Sequence, residues 1–394
     1  MPMSLAVLDP GAFLRRRAAL GQALGRPVLV FGHGSALGAG SASHGGLRFL
    51  TGWDGHESAS LLILMPDGAA RLLLGSPFMQ PLAGEQVPEL TPLYLPPGAW
   101  GAQIRAMIPE GAVGVIGLPE MPLAMAQALD GVIRPDPVAA QMLDRMRLVK
   151  DAAALDLHRA GAAICDAIFA RLPQVLRPGG SVLAAQRDLE AFALAQGAGY
   201  CRTWLTVRPQ ADRPRYWPSE TAATAEAQDQ VLMGIALTVD GHWAHGIRMG
   251  SLGPLRPDHR ALWQAVSRCL EAGLALARPG VALVDLADAM EQTFAQTTAE
   301  LGSPQVTRFR FGHGLGLSYE DPILTDAFPQ PFGTAQMPVR ADQAGGILAP
   351  GMVLELHPNL FVPGLGGAAL GEMLIVTDTG ADCPIHFPRD PFVI

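Results

Sequence analysis

The chain is poor in charged and aromatic side chains. Of its 394 residues, 16% are charged and 6% are aromatic, whereas 49% are hydrophobic, and the formal net charge is -8. A protein that binds nucleic acid or an anionic membrane surface needs a basic face. The acidic balance therefore argues against both kinds of partner, and the high apolar content indicates a well-packed globular protein.

Paired cysteines and long apolar runs are also missing. No apolar run reaches the roughly 18 residues that a transmembrane helix requires, and the first segment, MPMSLAVLDPGAFLRRRAALG, lacks the apolar core of a secretory signal. The cysteines lie far apart and form no CxxC pair. We therefore expect a cytoplasmic protein with reduced, mostly buried thiols. These thiols are Cys165, Cys201, Cys269 and Cys383.

The length of the chain predicts two domains, because a single core of this size is uncommon. We place the boundary between residues 1–147 and 148–394. In the first part, RPVLVFG, GLRFLTGW, SASLLILMPDG and ARLLLGSP are predicted to be strands, and helices are expected near Phe13–Leu24 and Met121–Leu129. The first domain is therefore predicted to be α/β.

The second part contains an internal repeat. The segment AAICDAIFARLPQVLRPGGSVLAAQRDLEAFA predicts two helices separated by Arg-Pro-Gly, and LWQAVSRCLEAGLALARPGVALVDLADAMEQTFA repeats this arrangement. Pro178-Gly179 and Pro279-Gly280 are expected to end the first helix of each pair. Strand-like segments follow both pairs. This pattern predicts a pseudo-two-fold helix-helix-sheet repeat with a site between the halves.

One predicted hairpin carries two histidines. In VLMGIALTVDGHWAHGIRMG, Asp240-Gly241 is a two-residue turn. Such a turn places His245 opposite Ala236, with Gly234 on the same face one diagonal step away. His245 is then either an ordinary strand residue or part of a site. His242 is expected to be exposed beside the turn.

Three further segments hold candidate site residues. In FRFGHGLGLSYEDP, His313 lies between two glycines, so it is either a buried histidine in a glycine-rich turn or a metal ligand. In GMVLELHPNLF, strand alternation puts Glu355 and His357 on one face, although His357 before a proline could also cap a bend. The last strand, LGEMLIV, carries Glu372.

Taken together, these segments resemble the creatinase, aminopeptidase P and prolidase branch of peptidase family M24. FGHGLGL is similar to the GHGIGL motif, GMVLELHP to GMVFTIEP, and EMLIVTDTG to the closing strand of that family. LRFLTGW resembles the YLTGF-type strand of the family's N-terminal domain. The resemblance implies a creatinase-like α/β domain followed by a pita-bread domain.

The metal ligands are where this sequence departs from the family. The dinuclear site of the family uses two hairpin aspartates, the GHG histidine, the glutamate of the EP dipeptide and a last-strand glutamate. In that order, the corresponding positions hold Gly234, His245, His313, His357 and either Gly371 or Glu372. The first aspartate serves mainly the second metal ion, so its loss implies that a hard dimanganese site is absent.

The resemblance implies instead a mononuclear site for one divalent transition metal. His245, His313 and His357 would hold the ion, with Glu372 as a candidate fourth ligand. Three histidines with an open position suit Zn²⁺ or Fe²⁺. The alternative is a metal-free cluster like that of creatinase, in which histidines and carboxylates handle protons.

The implied activity is that of a hydrolase or lyase acting on a small, carboxylate-bearing molecule, with C–N bond cleavage favoured. Glu355 or Glu372 would shuttle protons, and Tyr319 takes the place of the histidine that often follows the GHG motif. The alternatives are a metal-free, creatinase-like amidinohydrolase and a non-catalytic binding protein on the same fold.

Substrate contacts are predicted from two regions. Arg208 and Arg215 belong to the arginine-rich segment CRTWLTVRPQADRPRYW, and a guanidinium group binds a carboxylate bidentately. Trp53 and His56 follow the segment that resembles the family's subunit contact, which implies a homodimer in which this region reaches the partner's site. The other reading of Trp53 is a core residue of its own domain.

Overall fold

The computed structural model describes residues 10–209, 223–302, 306–328 and 346–394. It has the mixed α/β composition that the sequence predicts. The described residues form two compact units, the first containing 10–148 with 316–322 and the second containing 149–315 with 323–394. Within these residues, no helix is both long enough and apolar enough to cross a membrane.

The first unit is a six-stranded mixed sheet with helices and three short 3-10 turns. Its strands are β1 (Val28–Gly32), β2 (Ser60–Leu64), β3 (Ala70–Leu74), β4 (Leu93–Tyr94), β5 (Val113–Ile116) and β6 (Ile133–Pro135). Its helices are α1 (Pro10–Leu24), α2 (Ser35–Gly38), α3 (Ala42–Thr51), α4 (Met79–Gln86), α5 (Trp100–Met107), α6 (Leu123–Ala128) and α7 (Pro137–Arg147). The 3-10 turns are Pro88–Leu90, Pro97–Ala99 and Leu118–Glu120.

The strand order in this sheet is β4-β3-β2-β1-β5-β6. β1 pairs antiparallel with β2 and parallel with β5. The central strands are buried along their whole length, and successive side chains enter separate cores on the two faces. Continuous apolar strands such as VLVFG are typical of a sheet that is covered on both sides.

The segment GLRFLTGW is not the predicted strand. Most of it belongs to α3, which begins after the N-cap Ser41 and ends at Gly52 with a φ of 73°. The Ser41 side chain accepts a hydrogen bond from the His44 amide, and the Glu120 carboxylate accepts hydrogen bonds from the first two amides of the helix. These caps satisfy the free N–H groups of the first turn and favour a helix over the strand.

The second unit contains four long helices, one short helix and ten of the described strands. Its helices are α8 (Ala152–Val175), α9 (Val182–Ala195), α10 (Pro257–Leu276) and α11 (Leu283–Glu300), and the short α12 spans Pro322–Thr325. Its long strands are β7 (Tyr200–Val207), β8 (Gln230–Val239) and β9 (His242–Ser251). The others are β10 (Gly312–Gly314), β11 (Val353–Leu356), β12 (Asn359–Val362), β13 (Gly366–Ala369), β14 (Glu372–Val376), β15 (Ala381–Asp382) and β16 (Phe392–Val393).

The repeat predicted from the sequence is present as two helix pairs, α8 with α9 and α10 with α11. Gly179 and Gly280 follow the first helix of each pair with φ angles of 82° and 85°. Glycine adopts this left-handed conformation without steric cost, which explains why Pro-Gly ends both helices. α8 lies close against β9, since a Cβ atom at Gly161 would lie 2.6 Å from the Ala244 Cβ.

Two four-stranded sheets accompany the helix pairs. Their strand orders are β16-β9-β8-β7 and β10-β11-β14-β15. An antiparallel bridge between Ile247 and Gly371 joins the two sheets. The Ile247 amide donates to the Gly371 carbonyl at 3.3 Å, and the Gly371 amide donates to the Ile247 carbonyl at 2.9 Å. The candidate site lies at this junction.

Candidate active site

Three imidazole rings come together where the two sheets of the second unit join. His245 lies on β9, His313 lies on β10, and His357 follows the end of β11. The ring centroids of His245 and His313 are 5.4 Å apart, those of His245 and His357 5.8 Å, and those of His313 and His357 5.1 Å. All three side chains are buried. The structure therefore brings together the three histidines that the sequence predicted.

The hairpin places His245 as its turn sequence predicts. Asp240 and Gly241 both adopt positive φ angles, of 44° and 76°, which suits a two-residue hairpin turn. His245 then pairs with Ala236 in the register of β8 and β9. His242 differs from the expectation, because it is buried and its ring makes an edge contact with His158 at 5.4 Å.

Glu355 adds a carboxylate to the three histidines. It pairs with His313 across β10 and β11, so both side chains leave the same face of the sheet. Its Oε1 lies 3.9 Å from Nδ1 of His245. The side chain is fully buried, and neither carboxylate oxygen has a hydrogen-bond partner among the described residues.

Electrostatics keep this cluster close to neutral. Burial raises the pKa of Glu355 well above its usual value, the neighbouring Glu372 adds to the effect, and Arg248 opposes it. Burial also lowers the pKa of His245 and of His357 well below the usual value, and the His313 ring contributes to both shifts. Neutral imidazoles keep a lone pair for a metal ion or a proton.

Glu372 does not join the cluster. In the register of β11 and β14 it pairs with Leu356, on the face opposite Glu355. Its Oε2 accepts hydrogen bonds from Nη2 of Arg248 at 3.2 Å and from Nε of Arg389 at 2.7 Å. These arginines hold the carboxylate away from the histidines, which corrects the expectation that Glu372 is a fourth ligand or a proton shuttle.

The position of the missing first aspartate is filled by an aromatic ring. Gly234 on β8 pairs with Trp204 on β7, and a Cβ atom at Gly234 would lie 2.9 Å from Cε3 of Trp204. The Trp204 ring also makes an edge contact with His245, at 5.5 Å between ring centroids. No room is left for a carboxylate at residue 234 unless the tryptophan moves.

The donor set suits a divalent transition metal, but the rings are not arranged around a common point. Imidazole nitrogen and carboxylate oxygen are ordinary ligands for Zn²⁺ and Fe²⁺, and Glu355 supplies buried oxygens that form no hydrogen bond with any described residue. Within the described ranges, no group of three or more His, Cys, Asp or Glu side chains is positioned to hold an ion. The residues therefore have suitable donor atoms for a metal ion, but their side chains must reorient before they can coordinate it.

Arg208, one of the two predicted substrate arginines, is not brought to the cluster. Arg208 forms ion pairs with Glu226 at 2.9 Å and with Asp229 at 3.2 Å, which is the arrangement of an edge-strand residue balanced by nearby acids. Arg215 lies outside the described residues.

Three other predicted residues belong to the first unit. Trp53 is completely buried in the core of that unit, and its Nε1 donates to Oγ of Ser60 at 3.1 Å. This agrees with the alternative reading, a core residue of its own domain, and not with a subunit contact made by Trp53. His56 adopts a φ of 49° and contacts the Trp53 ring edge-on. Tyr319 donates its amide to the Gly40 carbonyl at 3.2 Å within the same unit.

Sequence reasoning missed two residues beside the cluster. Trp204 was passed over because an aromatic residue in a strand carries no chemical motif. Arg310 is 8% exposed, and its charge helps to lower the pKa of His357, after the larger effects of burial and His313. It lies in FRFGHG, where the glycine-flanked His313 carries the recognisable motif and the arginine carries none.

Helix pairs backing two joined sheets, with ionisable side chains collected at the junction, define a pita-bread hydrolase-like enzyme. Residues 156–378 match the profile of metallopeptidase family M24. The chain belongs to that family, so the family and fold predicted from the sequence are confirmed.

Similar proteins include several dipeptidases. The chain is 28% identical over 279 residues to a probable dipeptidase, PepE, of Mycobacterium tuberculosis, a match that covers 69% of this chain and 67% of that protein. It is 24% identical over 258 residues to an uncharacterized peptidase, YqhT, of Bacillus subtilis, covering 65% and 67% of the two chains.

Two solved structures illustrate the similarity of fold. The prolidase of Pyrococcus horikoshii superposes with a TM-score of 0.77 at 13% identity, covering 96% of this chain and 99% of that one. The dipeptidase PepE of Mycobacterium ulcerans gives a TM-score of 0.75 at 22% identity, covering 98% and 99%. At these identities the likeness establishes the fold alone.

Proposed function

We propose that the chain hydrolyses a C–N bond in small, carboxylate-bearing molecules such as dipeptides, using one divalent transition metal. The observation that carries this proposal is the convergence of His245, His313, His357 and Glu355 at the sheet junction. The names of the similar proteins, which include dipeptidases, favour a peptide-like substrate.

His245, His313 and His357 are the residues that would hold the ion. When bound, a divalent ion polarises a carbonyl group and lowers the pKa of a water molecule. Trp204 fills the space beside Gly234, which favours one ion over the two of the family's usual site. The imidazoles of His245 and His357 are neutral at neutral pH because burial lowers their pKa, so their ring nitrogens can bind an ion.

Glu355 is the group that moves protons in this proposal. Its buried carboxylate faces the histidines, and an Oε atom would accept a proton from the attacking water and return it to the leaving amine nitrogen. Burial raises the pKa of Glu355 in the metal-free protein, and the positive charge of a bound ion would favour the carboxylate form that accepts this proton. Arg310 would bind the substrate carboxylate, because a buried guanidinium beside the cluster recognises that group.

A hydrolysis assay tests the proposal. Protein purified without a histidine tag and loaded separately with Zn²⁺, Fe²⁺ or Co²⁺ would be incubated with a panel of dipeptides and N-acyl amino acids. We expect release of the free amino acid with at least one metal, weak turnover of Xaa-Pro dipeptides even with Mn²⁺, and loss of activity in His313→Ala. Failure to cleave any member of the panel, or robust Xaa-Pro cleavage, would contradict it.

A metal-free, creatinase-like reaction is the second candidate. It is favoured by the absence, within the described part of the chain, of side chains positioned to hold an ion, and by a glutamate whose pKa is raised by burial. Neutral histidines and a protonated carboxyl group can exchange protons directly. Activity that survives exhaustive dialysis against a chelator would select this candidate, and activity that is lost and then restored by metal would exclude it.

We further propose a cytoplasmic homodimer. All four cysteines are free thiols, as expected in a reducing compartment. Light scattering on the purified protein tests the assembly, with twice the mass of one chain expected and a monomer contradicting the proposal.

A further inference from the structure

The carboxylate of the site comes from a different strand than in the family pattern. That pattern places the last glutamate on the closing strand, at residue 371 or 372. In this structure, a Cβ atom at Gly371 would overlap Oε1 of Glu355 and would lie 2.7 Å from the amide nitrogen of Ile247. Position 371 therefore has no room for a side chain, and its space is occupied by Glu355.

The backbone explains why this space cannot simply widen. Gly371 and Ile247 exchange two main-chain hydrogen bonds, at 3.3 and 2.9 Å, and these bonds join the two sheets. The Gly371 carbonyl also accepts a hydrogen bond from Nη1 of Arg248 at 2.5 Å. Movement of this bridge would separate the strands that carry the histidines.

Glu372, the other candidate, is committed elsewhere. It lies on the opposite face of the sheet and binds Arg248 and Arg389 through one oxygen. Glu355 has the reverse properties, since it faces the histidines and forms no hydrogen bond within the described residues. A buried carboxylate without hydrogen bonds destabilises a fold. A functional role is therefore the expected explanation for Glu355 at this position.

We infer that Glu355 has replaced the last-strand glutamate and supplies the carboxylate ligand of a His245–His313–His357–Glu355 metal site. This inference rests on the proposed function and names a ligand that the family pattern does not contain. Oε1, which lies 3.9 Å from Nδ1 of His245, is the ligand atom, and the second oxygen remains to accept a proton. Three imidazoles and one carboxylate form a donor set that Zn²⁺ and Co²⁺ accept, and the proposed function then requires a fifth position at the ion for water or substrate.

The two neighbouring glutamates allow a matched experiment. The variants Glu355→Leu, Glu355→Gln and Glu372→Gln would be compared with the unmodified protein. Each would be measured for thermal midpoint after chelator treatment and for Co²⁺ affinity by chelator competition. The visible absorption of bound Co²⁺, which reports its ligand set, would be recorded for each variant that binds the ion.

We expect opposite results for the two positions. Both Glu355 variants should change the Co²⁺ spectrum and weaken Co²⁺ binding by at least the roughly 10–100-fold that loss of a residue behind the ligands costs. Glu355→Leu should leave the metal-free midpoint unchanged or raise it, because it removes a buried polar group without partners. Glu372→Gln should lower the metal-free midpoint, because it weakens the ion pairs with Arg248 and Arg389, and should leave Co²⁺ affinity within about twofold of the unmodified protein.

Two results would overturn the inference. If both Glu355 variants bind Co²⁺ as tightly as the unmodified protein, Glu355 is not a ligand, although the histidine site stands. If Glu355→Leu lowers the metal-free midpoint as much as Glu372→Gln, the residue has a structural role instead. An unmodified protein that binds no metal ion at all would remove both the inference and the proposed metal-dependent function.

Discussion

Glu355 and Glu372 lie on paired strands of one sheet. Both carboxylates are buried, and their side chains point to opposite faces of that sheet. Glu372 is held by Arg248 and Arg389, whereas Glu355 faces three imidazoles. The pKa of both carboxyl groups is raised mainly by burial, but arginines oppose the shift more directly at Glu372. Glu355 and Glu372 are thus alike in residue type and burial, and they differ in the face of the sheet to which strand register assigns them. This difference gives Glu372 a structural role and places Glu355 at the candidate site.

Arg310 gives a test of the substrate at the scale of one residue. Arg310→Met should raise KM for substrates with a free carboxylate by roughly 10–100-fold, since hydrogen bonds to charged groups contribute about 1.5–3 kcal/mol. The corresponding amides should be affected much less, and the metal content should not change. Steady-state kinetics on paired acid and amide substrates measure the difference.

Arg308 provides the control for this prediction. It lies two residues away, and its Nη2 forms an ion pair with Glu291 at 2.7 Å while the guanidinium packs against the Phe311 ring. Arg308→Met should lower stability without favouring amide over acid substrates. An equal loss on acids and amides in Arg310→Met would show that Arg310 does not bind the carboxylate.

At the scale of elements, the hairpin was predictable and the closing strand was not. Asp240-Gly241 defines a two-residue turn, and this fixes the register that pairs His245 with Ala236. LGEMLIV has no such marker, and a shift of one residue exchanges the two faces of a strand. For this reason the choice between Gly371 and Glu372 stayed open until the pairing with β11 was known.

The other differences between the predicted and the observed elements have similar physical causes. GLRFLTGW alternates like a strand, but Glu120, distant in sequence, caps the helix that this segment forms. Trp204 occupies the space beside Gly234 only because β7 pairs with β8, a long-range contact that no local pattern encodes. The three histidines could be predicted because each lies in a short motif. A short motif can be recognised from local sequence, without knowing how the strands pair.

The packing of α8 on β9 makes stability depend on pH. Nδ1 of His158 on α8 donates to the Trp243 carbonyl at 2.8 Å. Burial lowers the pKa of His158 well below 6.5, with smaller effects from His242 and Lys150. Below about pH 6.5 the His158 ring therefore binds a proton in the unfolded chain but stays neutral in the folded chain. The free energy of unfolding consequently falls as the pH falls.

Replacing His158 should reduce this dependence. In metal-free protein, the free energy of unfolding of His158→Gln should decline less steeply between about pH 6.5 and 5 than that of the unmodified protein. Chemical denaturation at several pH values measures the slope. His386→Gln, which changes an exposed ring, is the control. A slope unchanged by His158→Gln but altered by His386→Gln would contradict the assignment.

At the scale of the whole molecule, each compact unit has its own source of stability. Trp53 is completely buried in the first unit and packs between the sheet and its helices. Trp53→Ala should therefore cost about 3–5 kcal/mol of stability through the cavity that it creates. Its effect on association should be small, contrary to the contact role first expected for this residue.

Calorimetry and light scattering separate these two roles. Phe78→Ala serves as the control, because that ring is 81% exposed and its removal should hardly change the thermal midpoint. A Trp53→Ala protein with a normal thermal midpoint and weakened association would restore the contact interpretation.

We propose that the second unit holds one metal ion, on three histidines and Glu355, where the family pattern holds two. Elemental analysis of tag-free protein, after reconstitution with Zn²⁺, Fe²⁺ or Co²⁺ and removal of excess metal, tests it most directly. We expect about one equivalent per chain, because Trp204 fills the space of the first hairpin aspartate. Two equivalents, or none with any of the three metals, would contradict it.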